Sequence, residues 1–156
     1  MTSDKRKDIR TISQIERGTV IDHLDPKAVF LVVRVLGIDE NIEDTVTVGV
    51  NLKSKIMEKK GIIKIANRFL SEEIIDKIAV ISPNATVSII DDYEVKDKIK
   101  VKFPEVIEGI LKCPNPNCVT NIEKWPTRFK LIELEPLSLL CTYCERYITK
   151  NEVELW

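Results

Sequence analysis

Four cysteines, all in the last third of the chain, constrain its fold more than any other feature. Cys113 and Cys118 enclose Pro114-Asn115-Pro116-Asn117, a turn-rich tetrapeptide suited to bringing two thiolates to one ion. Cys141 and Cys144 form a tight Cys-x-x-Cys knuckle after a gap of 22 residues. Two knuckles on successive hairpins place four sulfurs tetrahedrally at roughly 2.3 Å from one zinc ion and leave no coordination position for water or substrate. The expected ion is therefore structural. Iron also accepts four thiolates, but zinc suits a structural knuckle better. The competing readings are four free thiols and two disulfides. The chain shows no apolar N-terminal signal and no run near the roughly 18 residues of a spanning helix, so we expect a cytoplasmic protein off the membrane. In that reducing compartment thiols serve as metal ligands more often than as disulfides.

Upstream of the cysteines the pattern is that of an α/β domain. Residues 1–10 are dominated by charge and read as a solvated arm. Thr19, Val20 and Ile21 favour a strand, and Asp25-Pro26 then supplies an N-cap with proline at the first helical position. The helix would run through Val29 and Val33 to Gly37; a fully buried strand over 29–35 also fits the apolar run, and the cap and the length favour the helix. Asp44 to Leu52 alternates, with Val46, Val48, Val50 and Leu52 expected on one face. Gly61 to Arg68 does the same, and its register puts Lys60 and Lys64 on a common face with Ile62. Ser71 caps a second helix whose stripe is Ile74, Ile75, Ile78 and Ala79, ending before Pro83. Ala85 to Asp91 is a further strand with Ser88 and Ile90 on one face, and the charged stretch from Val95 to Lys102 suits an edge strand or an extended connector.

This order, βαββαβ, is that of a ferredoxin-like sandwich with two helices on one face of an antiparallel sheet and the other face open. The expected class is α+β: residues 1–103 form the sandwich, and residues 104–156 form a small all-β zinc-binding domain too short to sustain a large core unaided.

Catalytic motifs are missing. His23 is the single histidine, no nucleophile, base and acid constellation assembles around it, and there is no glycine-rich phosphate loop. Any nucleotide would have to be held by side chains on the sheet, with Lys60, Lys64 and His23 as candidates. From pattern alone solvation of an exposed face explains the lysines better than a nucleotide site does. A zinc-ribbon protein that binds nucleic acid is the alternative function. Residues 101–156 carry 7 Lys and Arg against 8 Asp and Glu, and the whole chain has a net charge of -1, so no basic surface supports that alternative.

Taken together the residues resemble the regulatory chain of aspartate carbamoyltransferase over about Ile12 to Ile148. The segments that carry the resemblance are Arg17-Gly18-Thr19-Val20-Ile21-Asp22-His23, Ile63-Lys64-Ile65, Phe69-Leu70-Ser71-Glu72, Tyr93-Glu94-Val95 and the two cysteine pairs with their neighbours. The resemblance implies a non-catalytic subunit that controls pyrimidine biosynthesis. It implies an allosteric domain binding the nucleotide effectors CTP and ATP, a regulatory-chain homodimer, and a zinc domain docked on catalytic chains. It further implies that Asp22, His23, Lys60, Lys64, Ile90, Tyr93, Val95 and Lys98 contact the nucleotide, with Ile12 beside the sugar. Ser88 stands where the family commonly has an asparagine, which changes the donors and acceptors offered to a base. A basic residue of the arm, Arg6, Lys7 or Arg10, would join the site. For the docking surface the candidates are Asn115, Asn117 and Glu145.

Overall fold

The structure, a computed structural model, describes residues 14–155. Ile12, Arg6, Lys7 and Arg10 lie outside the described residues. The chain divides into two compact units, with the boundary between Lys102 and Phe103.

The first unit is a five-stranded antiparallel sheet with two helices. Its strands are β1 (Gly18–Leu24), β2 (Val46–Ser54), β3 (Glu58–Ala66), β4 (Thr86–Asp91) and β5 (Glu94–Lys100), in the order β2-β3-β1-β4-β5. The first four strands with helices α1 (Val29–Val35) and α2 (Glu72–Ile81) give the expected βαββαβ arrangement. The charged segment after β4 joins as an edge strand, exposed at every position except Ile99.

Local chemistry accounts for both helices. The Asp25 carboxylate accepts from the Lys27 amide at 2.9 Å, and Pro26 opens a 3-10 turn that runs into α1. Gly37 follows the helix with φ of 68°, the left-handed conformation that glycine adopts without a Cβ penalty. The capped start and this stop select the helix over the buried strand. The Ser71 hydroxyl caps α2 at the Ile74 amide. Both helices lay their apolar stripes on one sheet face, where Ile21, Ile63, Ile65, Val87, Val29, Val32, Ile78 and Ala79 are essentially inaccessible. Full burial of each large aliphatic side chain contributes about 1.5–3 kcal/mol. Gly61 is what allows α1 to sit so close, because a Cβ there would lie 2.1 Å from Val29 Cγ2.

One alternation is broken. β2 keeps register with β3 from Val46 to Gly49, then shifts before Leu52, which pairs with Lys60. Asn51 has φ of 61°, a conformation asparagine tolerates better than most residues, and the bulge reverses the side-chain parity. Leu52 therefore does not share a face with Val46 and Val48; it lies with Lys60 and Ile62 on the open side, close to Gly49.

In the second unit β6 (Val106–Glu108), β7 (Arg128–Glu133), β8 (Ser138–Cys141) and β9 (Tyr147–Thr149) form an antiparallel sheet in chain order. A short α-helix, α3 (Val119–Ile122), follows Cys118. Ile107, Phe129, Leu139 and Ile148 make a narrow core in register with Cys141. So few apolar side chains are a poor basis for independent stability.

Candidate metal centre and the open sheet face

The two knuckles converge. The Sγ atoms of Cys113, Cys118, Cys141 and Cys144 all lie within 4.8 Å of one another. Cys113 and Cys144 are separated by 3.6 Å, and Cys118 and Cys141 by 3.9 Å. A tetrahedron of thiolates at roughly 2.3 Å from zinc has edges of about 3.8 Å, so the sulfurs stand close to where the ion requires them. The donor set fits one structural zinc ion held by all four residues.

Each knuckle is built by backbone hydrogen bonds. The Cys118 amide donates to Asn115 O at 3.0 Å, the Glu145 amide to Cys141 O at 2.9 Å, and the Cys141 amide to Arg146 O at 2.9 Å. Glu145 takes φ of 61° to close the second turn. Burial pushes the Cys113 thiol far up, opposed by the Asn115 amide and reinforced by Cys144 and Cys141. Burial likewise raises Cys141 against donation from the Cys144 and Tyr143 amides. Burial also acts to raise Cys144, but hydrogen bonds from the Arg146 amide, the Asn115 side chain, Cys113 and Cys141 outweigh it and bring the group to about 7. A divalent cation at the centre inverts this preference and makes thiolate the stable form.

Two neighbours escaped the sequence reading. Thr120, wholly buried, places its hydroxyl 3.2 Å from Cys118 Sγ. Asn121 donates from Nδ2 to both Cys113 O, at 2.8 Å, and Asn115 O, at 2.7 Å, tying the ends of the first knuckle together. Its Oδ1 is buried without a partner. The only signal for either was a pair of short polar side chains two and three residues after Cys118, which a turn explains equally well.

The proposed docking residues surround this centre. Asn115 uses its carboxamide within the loop, accepting from the Asn117 amide at 3.0 Å, while Asn117 and Glu145 are exposed. Beside them Trp125 and Tyr143 meet edge to face at 6.2 Å, each about half exposed, and Ile122 is more exposed still.

On the helix-free face of the first unit, cross-strand pairing sets Lys64, Val20, Ser88 and Lys98 in one row over β3, β1, β4 and β5, with Ser88 buried and Lys98 exposed. With strands about 4.8 Å apart, the row spans about 14 Å. Ile90 pairs with Val95 in the adjacent row, and Tyr93 occupies the β4–β5 turn with φ of 62°. Asp22 and Lys60 form an ion pair at 2.8 Å, both half-buried. His23, at φ of 57°, donates its amide to Asp22 Oδ1 at 2.6 Å, and its ring Nδ1 lies 2.9 Å from the Thr86 hydroxyl, a neighbour the sequence did not suggest. Burial lowers the Lys64 ammonium from its ordinary value, partly offset by the Asp22 carboxylate. Among the described residues no helix is long and apolar enough to cross a membrane.

These features define a two-domain protein in which an α/β sandwich with an open, partly cationic sheet face is joined to a metal module closed to chemistry. The model of the aspartate carbamoyltransferase regulatory chain, allosteric domain, matches residues 10–102, and that of the same chain's metal binding domain matches residues 105–154. The chain belongs to the aspartate carbamoyltransferase regulatory chain family, whose members are non-catalytic subunits partnered with catalytic chains. Similar proteins include the aspartate carbamoyltransferase regulatory chains of Pyrococcus abyssi (46% identical over 143 residues, 91% of this chain and 94% of the relative) and Methanopyrus kandleri (45% over 144 residues, 91% and 92%). That of Parabacteroides distasonis is 42% identical over 153 residues, 98% of each chain.

Proposed function

We propose that residues 1–103 bind nucleoside triphosphate effectors on the open sheet face, and that residues 104–156 carry the resulting bias to the catalytic chains. The observation that supports this most is the row containing Lys64, Ser88 and Lys98 beside the Asp22–Lys60 pair. Two flanking ammonium groups offer charge-assisted hydrogen bonds to a polyphosphate, Ser88 offers a hydroxyl to a base edge, and Ile90 with Val95 offers an apolar seat. The Asp22–Lys60 pair serves as the polar anchor for sugar or phosphate, with His23 held beside it.

Effectors act by binding with different affinities in two quaternary states, since only differential affinity shifts such an equilibrium. The metal centre fixes the loop from Pro114 to Asn117 and the knuckle bearing Glu145. With the exposed Trp125, Tyr143 and Ile122 these form the surface that meets a catalytic chain, where buried aromatic groups supply most of the binding energy. The regulatory chain pairs with a second copy and works in the cytoplasm.

Isothermal titration of the intact chain with CTP and with ATP tests the effector site. Binding of either that Lys64→Ala weakens about 10-fold or more fits the loss of a charge-assisted bond. Unaltered affinity in the variant would move the site elsewhere. Sedimentation of the isolated chain tests the dimer.

A further inference from the structure

We infer that Thr120, which is not a ligand, controls how tightly the metal is held by donating its hydroxyl to the Cys118 sulfur. Four thiolates around a divalent cation leave two net negative charges in a site that is largely closed to water, so the cluster depends on donors aimed at its sulfurs. The Asn115 amide donates to Cys113, the Cys144 and Tyr143 amides to Cys141, and the Arg146 amide together with the Asn115 side chain to Cys144. Cys118 receives a side chain, the Thr120 hydroxyl at 3.2 Å. Once Cys118 is a metal-bound thiolate it carries no hydrogen, and the hydroxyl then acts only as the donor in this contact.

Burial supports the assignment. Thr120 is 0% exposed and Cys118 1%, so water does not substitute for the hydroxyl. A hydroxyl left without a partner in such a place is costly, and valine, of nearly the same shape, would avoid that cost. The position also fixes direction: Cys118 caps the N-terminus of α3 and Thr120 lies in its first turn, so the helix start aims the hydroxyl back at the sulfur.

Valine and serine substitutions separate donation from packing. Thr120→Val keeps the volume and removes the donor, whereas Thr120→Ser keeps the donor and removes the methyl group. Zinc affinity of the full chain, measured by competition with a chromophoric chelator, should fall about 10-fold or more in Thr120→Val and stay near the parent in Thr120→Ser. In the cobalt-substituted protein, the sulfur-to-metal charge-transfer band should move to lower energy in Thr120→Val alone, because a sulfur without its donor gives up an electron more readily. A valine variant that matches the parent in both affinity and spectrum overturns the inference. So does a serine variant weakened as much as the valine one, which would assign Thr120 to packing.

Discussion

At Lys64 burial and the effector binding proposed above pull in opposite directions. Burial holds its ammonium below the ordinary 10.5, with Asp22 opposing. Between the folded value and 10.5 the unfolded chain binds more protons, so this group makes the free protein more stable as pH rises through that window. The proposed effector binding would use the ammonium and should weaken over the same window. Denaturation and titration calorimetry on the alkaline side should therefore give slopes of opposite sign, and Lys64→Met should flatten both. The four ligands were legible because metal geometry leaves its mark on spacing. Thr120, Asn121 and Thr86 were not, because a hydrogen bond to a sulfur, a carbonyl or an imidazole leaves no periodic trace in the chain.

At the level of elements, the alternating strands and the capped helices could be read because period and caps are local properties. The register shifts were not legible. Leu52 reads as a core residue by strict alternation, yet the left-handed Asn51 delivers it to the other side of the sheet. Further shifts occur between Ile21 and Leu24 and between Ile89 and Ile90, each set by pairing with a distant strand. The tight seat of α1 on β3 yields a direct test. Gly61→Ala should destabilise the first unit by about 1–3 kcal/mol, since the added methyl must displace Val29 or the helix itself. Urea denaturation followed by far-ultraviolet circular dichroism would measure it. Asn121→Ala should loosen the first knuckle by removing two hydrogen bonds to carbonyls, seen as faster zinc loss to a chelator, while the orphaned Oδ1 it also removes limits the damage.

On the scale of the whole molecule, the two units draw on different sources of stability. The first rests on a wide aliphatic core, and the second has a narrow one to which a structural zinc ion adds about 10 kcal/mol. Strong chelation should therefore unfold the second unit and spare the first. Both tryptophans, Trp125 and Trp156, fall after the boundary, so indole fluorescence reports on the second unit, while amide exchange in β1 and β3 reports on the first. Concerted loss of both signals would show that the units are not independent.

The ion also acts as a clasp between distant parts of the chain, since one cysteine pair precedes β7 and the other closes β8. A single proteolytic nick in the exposed turn between those strands would leave two pieces with no covalent link. They should travel as one species on a native gel and part only when the metal is withdrawn.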